Sequence, residues 1–205
     1  LGINIGPNKE TENKIEDYIT CLSRLSNYAN YVTINISSPN TEGLREFHDQ
    51  KDMERLLTSL NKTIKEKKIN QPIAIKLSPD INDKEISKIV EIVEKYKIQS
   101  IIVSNTTDSN RDKLSDLKKK EVGGLSGQPL KDISTRLIKK FYKETKGRIK
   151  IIGVGGIDSG QSAFEKITAG ANAVQLYTGM VYKGPGIVKD IKKELISILK
   201  KENLK

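Results

Sequence analysis

The chain reads as an α/β protein built from βα units in series, and three observations say so. Six short apolar runs alternate with longer amphipathic stretches. The runs break into small polar residues or glycines at their C-terminal ends. No Pro/Gly linker and no internal repeat divides the 205 residues. Such alternation predicts a parallel sheet with helical crossovers in a single domain, 1–205.

Taken in order, the first strand is expected at roughly 2–5, in Gly2-Ile3-Asn4-Ile5. The second, roughly 31–36, is β-prone and ends in Ser37-Ser38-Pro39-Asn40-Thr41. The third, roughly 73–77, reads Ile-Ala-Ile-Lys-Leu; the fourth, roughly 100–103, runs into Ser104 and Asn105. The fifth, roughly 150–153, leads to Gly153-Val154-Gly155-Gly156, and the sixth, roughly 173–176, to Tyr177-Thr178-Gly179. Amphipathic helices are expected at roughly 11–28, 51–67, 83–96, 131–146, 160–169 and 186–201. The connection from Ser104 to Leu130 has little periodicity and is expected to be a functional loop or lid, with a polar, mobile middle from Arg111 to Lys120.

Six units do not close an eight-stranded barrel. Two architectures fit: an open doubly wound sheet, or a (β/α)8 TIM barrel present in part, as strands 3–8. The glycines favour the partial barrel. Barrel enzymes commonly bind phosphate in the loops after strands 7 and 8, which would be the Gly155-Gly156 and Tyr177-Thr178-Gly179 turns. The chain also opens on Leu1 rather than Met and runs straight into an apolar segment, so it is expected to be cut from something longer.

Composition excludes several classes. Hydrophobic content of 36% with 30% charged residues is a soluble globular profile, and no run of ~18 apolar residues could span a bilayer. The net charge of +10 invites a nucleic-acid reading. The lysines, however, are scattered along amphipathic helices, and aromatics make up only 5% with no Trp, so stacking platforms are scarce. No nucleic-acid partner is expected. The single cysteine, Cys21, rules out an intramolecular disulfide and any cysteine metal cluster. It sits in a helical pattern, as a core or half-buried thiol. No metal site is expected. A Ser-His-Asp triad would have to use His48, the only histidine, and nothing else supports one.

The chemistry gathers at one rim. Strands of a parallel sheet should be apolar throughout, yet four consecutive strands carry polar residues near their C-terminal ends: Asn4, Asn35, Lys76, and Ser104 with Asn105. Buried amides and ammonium groups are costly unless paired, so together they predict a donor-rich pocket. Lys76 needs an anion. That anion is either nearby Asp80, in a structural ion pair, or a bound anionic cofactor. Gly155-Gly156, ahead of the helix near Gly160, offers bare backbone N–H groups to a phosphate, with the helix N-terminus assisting. Gly123-Gly124-Leu125-Ser126-Gly127 offers a second close approach. Each glycine motif also reads as a plain turn, and Gly153-Val154-Gly155-Gly156 lacks the spacing of a dinucleotide fingerprint. Ser38, taken alone, reads as a turn or helix-cap serine.

These same segments resemble the dihydroorotate dehydrogenase family, class 2. The similarity runs through Leu1–Lys9, Asn35–Arg45, Lys76–Asp80, Ser104–Thr107, Gly123–Leu130, Ile151–Gly160 and Val174–Thr178, in the family's order and spacing. The resemblance implies oxidation of dihydroorotate to orotate in pyrimidine synthesis, with FMN as hydride acceptor and a quinone as final acceptor. It implies that Ser38, where the soluble class has cysteine, is the base that takes the C5 proton, with Thr41 as relay partner. Asn35, Asn40, Asn105 and Thr106 would hold the substrate. Asn4, Asn35, Lys76 and Ser104 would line the flavin ring, Lys76 facing its negative charge. Ser126, Gly127, Gly155, Gly156, Tyr177 and Thr178 would hold the ribityl phosphate. It also implies that the first two βα units, with a substrate-binding lysine, are absent, together with N-terminal helices that form a quinone tunnel and a peripheral contact with an inner membrane. Alternatives are a non-redox phosphate-binding barrel, which would not require Lys76 beside Asn35, a flavin reductase acting on pyrimidines, for which position 38 would be cysteine, and a flavin-binding fragment without activity.

Overall fold

The computed structural model describes residues 1–41, 43–109, 111–112 and 114–202. Six strands form one sheet: β1 (Gly2–Ile5), β2 (Tyr31–Asn35), β3 (Ile73–Leu77), β4 (Ser100–Val103), β5 (Lys150–Val154) and β6 (Ala173–Gln175). They pair in sequence order, every pair parallel. A doubly wound sheet reverses its strand order at a switch point, and this one never does. The architecture is the partial barrel, with β1 and β6 as its two edges.

Helices α1 (Lys14–Leu25), α2 (Gln50–Lys67), α3 (Asp83–Lys95), α4 (Lys131–Thr145) and α5 (Gly160–Thr168) follow the first five strands in turn; α6 (Thr178–Lys183) and α7 (Ile187–Lys201) follow the sixth. Side chains alternate across a strand. One set, with Val32, Ile34, Ile75, Leu77, Ile101, Val103 and Ile151, packs into a single core with Leu22, Leu56, Leu60, Ile89, Val93, Ile138 and Phe141 of the helices. The other set faces the concave side, and there the strands carry Asn4, Thr33, Asn35 and Lys76. Cys21 is half-buried at the edge of the core.

Local chemistry sets the helix ends. The Asp49 carboxylate accepts the Lys51 N–H at 2.9 Å and opens α2. Asn82 and Glu85 close a capping box on α3, which satisfies two N–H groups that the helix cannot. The stretch expected at 11–28 is shorter as an α-helix. It ends at Leu25 and tightens into a 3-10 turn, Ser26–Tyr28. Helix α6 was not expected; its six residues are too few to show a period. Among the described residues no helix is long and apolar enough to cross a membrane.

Candidate active site

Register places the key side chains together. Asn35 of β2 is the lateral partner of Lys76 of β3, so both point into the concave face from adjacent strands. Asn4 lies opposite Thr33 one level below. The Asn35 side-chain oxygen accepts from Ser37 Oγ at 3.1 Å, from the Ser37 N–H at 3.3 Å and from Asn105 Nδ2 at 3.3 Å. Asn105 Nδ2 also donates to Ser37 Oγ at 3.1 Å, and its oxygen accepts the Thr106 N–H at 2.8 Å. The buried Tyr18 hydroxyl donates to the Asn35 carbonyl at 2.6 Å, and burial pushes that phenol well above its ordinary range. Asn35, Ser37 and Asn105 therefore form one oriented polar unit across β2 and β4. Ser37 escaped the sequence reading. Its signal was its place two residues beyond Asn35, on the same face of the strand's extension.

Lys76 has no hydrogen-bond or ion-pair partner among the described residues. Asp80, the expected structural partner, is taken. Its carboxylate pairs with Arg45 at 3.2 Å and accepts the Thr107 hydroxyl. Burial pushes the Lys76 ammonium below the ordinary lysine range, because water is removed and no anion compensates. Of the two readings of Lys76, the ion pair with Asp80 does not form.

The loops after β2, β3 and β4 are tied by one guanidinium. Arg45 Nη1 meets Asp80 at 3.2 Å and Asp108 at 2.6 Å, and Nη2 donates to the Thr106 carbonyl at 3.4 Å. Ser38, Thr41, Arg45 and Asp108 line a pocket of about 260 Å³ beside this clamp. Ser38 Oγ accepts the Asn40 N–H at 3.3 Å. No hydrogen bond joins Ser38 to Thr41 among the described residues; both face the same pocket. Asn40 is exposed and Thr106 half-buried. His48 is engaged elsewhere. Its Nε2 accepts the Ser78 N–H at 3.2 Å, which leaves Nδ1 to donate to the Arg45 carbonyl at 3.0 Å. No triad includes it.

The glycine turns gather at the far end of the sheet. Gly155 and Gly156 have φ of +119° and +69°, in the left-handed region that side chains rarely enter. A Cβ at Gly156 would lie 2.5 Å from Lys131 Cβ. Both glycines are buried, and no hydrogen bond among the described residues takes up their N–H groups. Buried donors of that kind want an acceptor. Beside them Thr178 Oγ1 donates to Ser126 Oγ at 2.9 Å, and Gly127, at φ +78°, lies against the Thr178 methyl. Tyr177, next in the chain to Thr178, is 79% exposed. The set fits a phosphate ester.

The family comparison bears on these same residues. The family model described as dihydroorotate dehydrogenase matches residues 1–199. This chain belongs to the dihydroorotate dehydrogenase family. A dihydroorotate dehydrogenase (quinone) from Christiangramia forsetii is 44% identical over 198 residues, 96% of this chain and 58% of that protein. One from Idiomarina loihiensis is 46% identical over 197 residues, 93% of this chain and 59% of its own. The solved structure of the Eimeria tenella dihydroorotate dehydrogenase in complex with ferulenol superposes with a TM-score of 0.94 at 34% identity, covering all of this chain and 59% of that one. The chain therefore spans just under three-fifths of the length of these relatives.

Two features of this family member depart from the sequence reading. The first turn of α5 is met in part by the protein itself: Ser159 and Ser162 close a capping box, and the Glu194 carboxylate of α7 accepts the Gly160 N–H at 2.5 Å. The Gly123-Gly124 approach is likewise internal. A Cβ at Gly124 would strike Thr106 Oγ1 at 1.8 Å and Pro39 at 3.0 Å. The Ser104–Leu130 connection thereby folds back over the Ser38 loop, and Thr107 pairs with Leu125. Asn110 and Lys113 of that connection lie outside the described residues.

Proposed function

We propose that this chain is the greater part of an FMN-binding catalytic barrel domain that oxidises dihydroorotate to orotate, with a quinone as final acceptor. The observation that carries the reading is Lys76 beside Asn35 in register on a polar concave face, a half-buried cation with no partner among the described residues, next to an oriented amide. A non-redox phosphate-binding barrel would have no use for that pair. The relatives' names supply the reaction.

When bound, the flavin supplies a hydride acceptor. Asn4, Asn35, Lys76 and Ser104 would lie along its ring. Gly155, Gly156, Gly127, Ser126, Thr178 and the Tyr177 backbone would hold its phosphate. Asn35, Asn105, Asn40 and Thr106 hold and orient the substrate's carboxylate and ring amides. Ser38 takes the proton from C5 of the substrate. A serine without histidine is a weak base, so the proton must leave through Thr41 or water in the shared pocket. The Arg45 clamp fixes the three loops that carry these groups, which keeps the Ser38 oxygen on target. The quinone site and a peripheral membrane contact belong, in this reading, to segments outside the 205 residues.

The test has two stages. The purified chain is examined for bound flavin by its visible absorbance. It is then supplied with the N-terminal part of a relative, and dye reduction by dihydroorotate is followed. A colourless chain in both settings would overturn the flavin reading; a yellow but inert complex would leave a flavin-binding module.

A further inference from the structure

Lys166 is the one fully buried lysine among the described residues, and the reaction just described does not use it. It lies on α5 and is 0% exposed. Its ammonium donates to the Lys131 carbonyl at 2.7 Å, to Ser134 Oγ at 2.6 Å and to Thr135 Oγ1 at 2.6 Å. All three acceptors are neutral, and all lie in the first turns of α4. They satisfy the N–H groups, and no carboxylate touches the ammonium among the described residues. The adjacent Glu165 carboxylate is paired with Lys131 at 3.0 Å and half exposed. A buried ammonium without an anion is costly, so its retention asks for a reason.

Its position gives one. A Cβ at Gly155 would lie 2.9 Å from Ser134 Oγ, and one at Gly156 would lie 2.5 Å from Lys131 Cβ. The residues that hold the Lys166 ammonium are therefore the residues against which the two glycines rest. The cation sits one side chain behind the turn, on its protein side.

We propose that Lys166 is a positioning residue for a phosphate at the Gly155-Gly156 turn, pinning the start of α4 beneath the glycines and supplying from behind the positive charge that a dianionic phosphate ester needs. The proposal rests on the reading of that turn as the flavin's phosphate site. Burial lowers the ammonium to about 8. Glu165 on α5 and Asp132 on α4 oppose the fall, and Lys131 on α4 adds to it. The protonated form favours an anion at the turn. Affinity for the phosphate therefore falls as the pH rises past that value, while affinity for a ligand without phosphate does not.

The experiment compares FMN with riboflavin, which differ only by the phosphate. Both are titrated into the 205-residue chain by flavin fluorescence. At pH 7 FMN should bind more tightly, and Lys166→Met should weaken FMN roughly tenfold or more while leaving riboflavin unchanged. Equal weakening of both ligands would show a merely structural lysine; it overturns the proposal and leaves the flavin reading standing. Wild-type chain that binds riboflavin as tightly as FMN removes the phosphate site and the proposal together, and chain that binds neither, alone or with the N-terminal part of a relative supplied, removes the flavin reading as well. If Lys166→Met does not fold, the wild-type protein decides the matter. Its FMN-to-riboflavin affinity ratio should fall roughly tenfold between pH 7 and pH 9.5, and a flat ratio would refute the proposal.

Discussion

Three side chains make distinct demands. Ser38 is half-buried, and its one hydrogen bond among the described residues is the Asn40 N–H that its Oγ accepts. Ser38→Ala, in a protein completed to the relatives' length, should keep its flavin and lose ~10²–10⁴ in the rate of flavin reduction by dihydroorotate. Stopped flow checks this; an undiminished rate removes Ser38 from the mechanism. Ser38→Cys should retain more activity than Ser38→Ala. Lys76→Ala should lower flavin content and shift the midpoint potential negative, because the cation facing the ring is lost. A normal content and potential would point to a structural lysine. His48 predicts a pH effect on stability. Desolvation lowers its folded pKa below 6.5, against the smaller opposing effects of the Arg45 carbonyl and Glu85. The unfolded chain then binds the proton first as pH falls. Stability is unaffected above about 6.5 and declines from there downward, by at most about 1.4 kcal/mol per pH unit. Urea midpoints between pH 7.5 and 5 read it, and His48→Gln should flatten part of the slope.

At the scale of elements, the three rim loops are tied together because Arg45 holds Asp80, Asp108 and the Thr106 carbonyl. Arg45→Met leaves both carboxylates without their cation and should cost about 1–3 kcal/mol. Amide exchange should quicken in the loops after β2, β3 and β4 while the α4 and β5 amides stay protected; uniform quickening would mean that Arg45 supports the whole fold instead. The elements themselves were largely legible in the sequence. Strand and helix bounds follow from hydrophobic period, which is a local property, and every expected strand formed within a residue or two of its place. Juxtapositions were not local. That Lys76 stands beside Asn35 depends on register, and that Arg45 claims Asp80 depends on two loops meeting. The Gly160 N–H meets a carboxylate thirty-four residues away. Lys166 was invisible for another reason: a lysine in an amphipathic helix ordinarily faces water, and only packing shows that this one does not.

For the whole molecule, the consequential fact is a sheet with two edges. β1 and β6 each pair on one side only, and unpaired strand edges invite association. A hydrogen bond from Gln175 Nε2 to the Tyr31 hydroxyl, 3.2 Å, reaches across the concave face, but it does not replace a ladder. Supplying the part of a relative that this chain does not match should raise solubility, melting temperature and FMN affinity together. Size-exclusion chromatography with thermal melts, with and without that segment, checks this. A monomeric, active chain whose melting point ignores the added segment would show that these six units suffice.

The pairing order also bears on how the molecule is made. Each strand bonds to the one translated just before it, so a ribosome delivers every new strand to a finished neighbour, and the sheet can grow while the chain is still being synthesised. The α5 start is the exception. Its Gly160 N–H waits for Glu194, and the small apolar cluster of Ile157 and Ala163 waits for Ile187 and Ile191. The start of α5 thus stays unfinished until α7 emerges and closes over it.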